Sequence, residues 1–321
     1  MLKNGGDKRG GLELWAVHGL MVLAALVVSS SFTVGEAITR GLDPAVLLLV
    51  RYLIATLCLA PLLFREQGPV SPSPRQLTGY GAISLCTVGF FWCMFAALRL
   101  TTAINTSIIF TLVPGISGVY SAIFLKERLG RYRFLALLCG MFGAVWVIFQ
   151  GEPARLLALE INRGDLLFLA GCFLMAAYTP LVKVVHRGES MVVMTFWVLA
   201  TGCGWLLLPA APQLAAVEWA AVPARVWLGI VYLALFSTVL TFYLTHLATL
   251  YLGPTRIMAY SYFYPAFVLL INWSLGHGLP PPVVLPGVLV VTLATVVLQR
   301  GGGEQGSAEL IPASTGNSQE R

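Results

Sequence analysis

The sequence predicts an all-α polytopic membrane protein with ten transmembrane helices, arranged as two inverted five-helix repeats. Three observations carry this. Hydrophobic residues make up 58% of the 321 residues and charged residues 11%, whereas a soluble domain carries about 25% charged residues over its core. Window after window reaches the roughly 20 apolar residues that cross a bilayer. A proline-interrupted apolar stretch, Ala103 to Phe134, returns more weakly as Pro254 to Val284, and a displacement of 151 positions lays Pro114 on Pro265.

Taken in order, residues 1–13 form a short polar segment with Lys3, Lys8 and Arg9. The first span, Leu14–Ile38, exceeds the core of a signal peptide, about 7–15 residues, and more spans follow, so it reads as an uncleaved helix. Pro44–Phe64 starts at the Asp43-Pro44 break. Leu77–Leu98 follows the SPSPR run at 71–75. Ala103–Leu125 holds Pro114 and ends in Lys126, Glu127, Arg128, Arg131 and Arg133. Tyr132–Phe149 completes a first unit, 14–150. A polar linker, 151–164, separates it from a second unit, 165–299. That unit holds Asp165–Val185, Met191–Leu208, Val226–Leu250, Thr255–Leu275 and Pro282–Leu298. Pro209 to Pro212 and Pro280-Pro281-Pro282 mark breaks between its spans, because proline cannot donate a helix hydrogen bond. Residues 300–321 are glycine-rich, polar and without periodicity, which predicts a disordered tail.

Five is odd, so a repeated five-helix unit re-enters the membrane in the opposite sense. SSSFTVGEAITRG at 29–41 also resembles AAYTPLVKVVHRG at 176–188. With the N-terminus cytoplasmic, the inside segments hold Lys3, Lys8, Arg9, Arg65, Arg75, Lys126, Arg128, Arg131, Arg133, Lys183, Arg187, Arg256, Arg300 and Arg321. The outside loops hold only Arg40, Arg99, Arg155, Arg163 and Arg225. This excess places both termini in the cytoplasm and the chain in the cytoplasmic membrane. The net charge of +6 is therefore a topology signal and not one for nucleic acid. The six cysteines all fall within apolar spans and form no CxxC pair, so they read as small buried residues.

ALRLTTAINTSIIFTLVPGISGVYSAIFLKERLGRYRF at 97–134, with Pro114, Glu127, Arg128 and Leu129, resembles the drug/metabolite transporter superfamily in its EamA branch. DPAVLLLVRYLIA at 43–55 resembles that family's second helix, with its arginine at Arg51. The similarity runs from about 14 to 299. One departure is that the second-half glutamate is replaced by Gly278, beside His277. The resemblance implies a secondary transporter, often an exporter of amino acids or related metabolites. It also implies a central cavity lined by helices one, three and four with six, eight and nine.

Ionisable groups inside a bilayer cost roughly 2.5–3.5 kcal/mol on insertion scales, so each is a functional suspect. Glu36 either binds a proton or a substrate ammonium, or sits at the interface paired with Arg40. Arg51 either caps carbonyls freed at a helix break or pairs with a carboxylate, the substrate's included. His18 and His246 read as packing residues that could also carry protons. Asn105 and Ser107 precede Pro114, and Tyr260 and Tyr264 approach Pro265; a proline frees a carbonyl that survives only against protein or a wet cavity. The tyrosines form either a cavity wall or an interfacial belt. Trp92 and Tyr178 are further cavity candidates.

Matched interrupted helices point to a transporter's binding site. The expected partners are a small-molecule substrate, membrane lipids and protons as the coupling ion, with no cofactor. No HExxH, GxSxG or phosphate-binding loop occurs, so an enzyme is not expected. A flippase or carrier of a lipid-linked substrate stands as the alternative.

Overall fold

The computed structural model describes residues 14–67, 72–101, 106, 109–126, 130–148, 152, 154, 162–276 and 282–300. Asn105, Ser107, Glu127, Arg128, His277 and Gly278 lie outside them, as do the N-terminal segment and the tail from 301. Among the described residues, the longer helices group into ten elements in chain order. They are α1 (Leu14–Ile38), α2 (Pro44–Gln67), α3 (Pro74–Ala97), α4 (Val113–Phe124) and α5 (Arg131–Ile148), then α6 (Arg163–Val185), α7 (Met191–Leu214), α8 (Ala224–Leu252), α9 and α10 (Leu285–Arg300). α9 comes in two pieces, Pro254–Ala259 and Tyr264–Ser274, joined by the 3₁₀ turn Tyr260–Phe263.

Six of these helices, α1, α2, α3, α6, α7 and α8, are long and apolar enough to cross a membrane unbroken. The outer wall of the bundle is apolar: Leu57, Leu208 and Leu228 each expose about 70% of their surface. Such a surface suits acyl chains and not water.

Helix starts are written locally. Ser73 accepts from Gln76 N, with the Gln76 side chain returning to Ser73 N. Asn162 and Asp165 form the same reciprocal box at α6. Ser190 caps α7 through Val193 N. Each satisfies amide donors that a helix leaves open at its start. Gly253, with φ +80°, lets α8 turn directly into α9, a conformation that side chains disfavour.

One sequence-derived boundary changes. The proline cluster at 209–212 does not end the seventh span; α7 runs through Pro209 and Pro212 to Leu214. Both prolines sit in the exposed last turns, where freed carbonyls can reach water. The ninth span, read from the sequence as proline-interrupted, has its break at Tyr260–Phe263, just ahead of Pro265.

Packing follows a pattern that repeats when five is added to each helix number. α3 packs on α6 as α8 packs on α1. α4 packs on α6 as α9 packs on α1. α2 meets α7, and α5 meets α10. The two halves are thus interleaved about a pseudo-two-fold axis, as inverted repeats require. Glycines let the paired helices approach, as small residues do in membrane bundles. A Cβ on Gly202 of α7 would stand 2.7 Å from the Tyr52 ring of α2. One on Gly171 of α6 would stand 2.8 Å from Cys93 Cβ of α3.

Both ends of the bundle carry polar ties. At the end bearing the start of α1, Tyr80 donates to Glu189 at 3.0 Å and His18 Nδ1 meets the Tyr260 hydroxyl at 2.5 Å. At the opposite end, Arg99 donates to the Thr39 and Leu42 carbonyls, and Thr101 donates to Asp165.

Candidate functional site

Between the halves lies a narrow, largely enclosed cavity of about 50 Å³, measured to the centre of a water molecule. One water needs about 10–15 Å³ of such space, so the cavity has room for a few waters. Its wall comes from α1 (Met21, Val28, Ser31, Phe32), α3 (Phe90, Phe91, Met94), Phe110, α6 (Met175, Tyr178), α8 (Ser237, Thr241, Phe242, Thr245) and α9 (Ile257, Met258, Tyr264).

The wall is built largely of equivalent positions. The 151-residue displacement pairs Phe90 with Thr241, Phe91 with Phe242 and Met94 with Thr245. The alignment of 29–41 with 176–188 pairs Ser31 with Tyr178, and one turn earlier Val28 with Met175. Phe91 and Phe242 stack, with centroids 6.3 Å apart and planes at 20°. Phe110 stacks on Tyr264 at 5.3 Å. Rings and thioethers give most of the surface, and four hydroxyls, Ser31, Ser237, Thr241 and Thr245, give the polar points besides Tyr178 and Tyr264.

The helix breaks place these groups. Pro265 is the second residue of the second piece of α9, and Pro114 is the second residue of α4. Ahead of Pro114, Leu112 N donates to Ile109 O at 3.1 Å, a tight four-residue turn; ahead of Pro265 the chain is 3₁₀. The two halves therefore break at matching places. These turns carry Phe110 and Tyr264 to the cavity.

A third irregularity has no first-half counterpart. Residues Leu235–Leu240 of α8 form a π turn, whereas the equivalent stretch of α3 is regular helix. Arg51, fully buried, attends it. Its Nε donates to Thr238 Oγ1 at 2.6 Å and its Nη2 to Ser237 O at 3.2 Å. The guanidinium carbon stands 4.3 Å over the Phe91 ring, a cation–π distance. Nη1 has no partner among the described residues. The Tyr178 hydroxyl and His246 Nε2 are likewise buried without a partner, while His246 Nδ1 meets Thr195 Oγ1 at 2.7 Å.

Of the sequence-derived candidates, Tyr178 and Tyr264 line the cavity. Arg51 stands immediately behind it, on Phe91 and Ser237. Tyr260 faces His18 instead. Pro114 and Pro265 are buried at the breaks. Glu36 and Trp92 lie outside the cavity. Glu36 is exposed near the far end of α1, and no ion pair joins it to Arg40. Trp92 is 39% exposed, because one residue past Phe91 a helix has turned by about 100°. The Phe91–Phe242 pair and the methionines were missed. The displacement that aligned the prolines would have found the pair.

Comparison with known proteins agrees with this architecture. The model of the EamA-like transporter family matches residues 15–149 and again 162–299. An uncharacterized transporter of Bacillus subtilis, YyaM, is 23% identical over 240 residues, covering 74% of this chain and 79% of its own length. A second from the same bacterium, YetK, is 24% identical over 257 residues, covering 78% and 76%. An uncharacterized transporter of Archaeoglobus fulgidus is 24% identical over 253 residues, covering 78% and 86%. A solved crystal structure superposes with a TM-score of 0.67 over 90% of this chain and all of its own, at 19% identity, and so shares the fold. Two matches to one family, each laid over five of the ten helices, decide the matter: the chain is a membrane transporter of the EamA-like transporter family.

Proposed function

We propose that the chain is a secondary transporter that moves small metabolites, amino acids or related compounds, outward across the cytoplasmic membrane by alternating access. Protons are the proposed coupling ion, and the Lys and Arg bias supports a cytoplasmic location for both termini. The observation that carries this reading is the cavity between the halves, walled largely by equivalent positions of the two inverted halves. Rocking one half against the other opens such a cavity to either side in turn. The polar ties at the two ends, Tyr80 to Glu189 and Arg99 to the Thr39 and Leu42 carbonyls, would break alternately.

The test is uptake of a labelled amino-acid panel into proteoliposomes, with and without an imposed pH gradient. Accumulation above empty liposomes that collapses with the gradient supports the reading. Gradient-independent accumulation removes the proton, and no accumulation removes amino acids.

A second reading has one observation in its favour. An apolar crevice of about 260 Å³ opens between α4, α5 and Tyr262, among membrane-exposed Val119, Ile123 and Leu138. It suits an acyl chain and so a lipid-linked substrate. Transfer of a fluorescent lipid between leaflets of the same proteoliposomes tests it.

A further inference from the structure

Three of the six buried side-chain atoms without partners among the described residues, Arg51 Nη1, Tyr178 OH and His246 Nε2, gather around one feature, the Phe91–Phe242 pair. Arg51 lies over the Phe91 ring at 4.3 Å. The Tyr178 and His246 rings flank Phe242, with centroids at 5.9 and 6.2 Å. Arg51 Nη1 can only donate, and Tyr178 OH can donate. Arg51 forms no ion pair among the described residues, and no carboxylate lines the cavity. A buried cation without a counter-charge is costly unless something completes it. The π turn takes one bond each from Nε and Nη2 and leaves Nη1 open. Tyr178, 1% exposed and in the cavity wall, brings a second open donor from the opposite half.

We infer that this transporter's cavity takes an organic carboxylate with a flat apolar or aromatic body, whose carboxylate completes Arg51 and Tyr178 when the Phe91–Phe242 pair parts. The rings and thioethers receive the body. Methionine side chains repack readily, so the cavity can widen beyond its few-water size. A substrate ammonium finds no carboxylate in this wall and contributes little to binding. This deepens the proposed function and rests on it: among amino acids and related compounds, the negative group is what the site reads.

Thermal unfolding of the purified full-length protein tests this with three probes of one shape: 3-phenylpropionate, 3-phenylpropionamide and phenylethylamine. The expected result is a rise in melting temperature with millimolar 3-phenylpropionate and none with the amide or the amine. Arg51→Gln should abolish the rise, although that change also disturbs the π turn. Tyr178→Phe is the cleaner variant, because its hydroxyl bonds nothing among the described residues. It should fold at least as well as wild type and weaken the carboxylate by about tenfold, the factor that corresponds to a lost hydrogen bond to a charged group. Equal stabilisation by all three probes, by none of them, or an unchanged carboxylate response in Tyr178→Phe overturns the inference. Transport in proteoliposomes separates it from the broader reading. Transport without carboxylate preference overturns this inference alone. Carboxylate-selective binding without transport upholds it and overturns the transport cycle.

Discussion

A guanidinium inside a bilayer keeps its charge, so its stability depends on what its donors touch. Arg51 gives Nε to Thr238 and Nη2 to the Ser237 carbonyl, and rests on Phe91. Thr238 Oγ1 also donates to Leu233 O at 2.8 Å, tying the π turn from inside. Thr238→Val keeps the shape and removes both bonds. Leaving a buried charged donor open costs about 1–3 kcal/mol or more, so this variant should melt several degrees lower in detergent. Close backbone approach gives a second prediction at this scale. Gly202→Ala puts a methyl within 2.7 Å of the Tyr52 ring, which Thr87 also holds through the Tyr52 hydroxyl at 3.2 Å. Overpacking of this kind costs about 1–3 kcal/mol. A lower melting temperature with an unchanged circular-dichroism spectrum is the expected outcome.

At the scale of the helix, the prolines act by position. Each sits in the first turn of the piece that follows a break, where its missing N–H would have no helical partner. Neither proline is therefore needed for its own piece to form. Pro265→Ala should leave thermal stability within about 1 kcal/mol of wild type, since alanine is a good helix former there. It also permits the Tyr260–Phe263 turn to wind into continuous helix, which would draw Tyr264 away from Phe110. A reduced transport rate with normal expression is the expected result, and unchanged transport would show that the break is not used in the cycle. The prolines and their register were legible in the sequence, because a residue without an N–H marks a break wherever it stands. The π turn was not. Nothing in LFSTVL departs from an ordinary apolar helix; the turn exists because Arg51, 187 positions away from Thr238, binds its carbonyl and hydroxyl.

For the whole molecule, two inverted five-helix units enclose one cavity between them. The topology makes a direct prediction. In a variant free of native cysteines, a cysteine placed at Gly188, between α6 and α7, should react in intact cells only with a membrane-permeant maleimide. One placed at Val217, between α7 and α8, should react with an impermeant maleimide as well. The reverse pattern would place the termini outside. Composition, span length and the positions of Lys and Arg determined the class, the number of spans and the expected orientation, because each is a one-dimensional property set by the bilayer. They also placed the two breaks, through matched prolines. They did not determine which polar residues face the cavity. Glu36 drew attention by its charge alone, yet it lies exposed, while Tyr178 lines the wall and Arg51 stands one layer behind it. That choice belongs to the tertiary structure, because which face of a long apolar helix turns inward depends on the helices packed against it, and every face of such a helix reads alike in sequence.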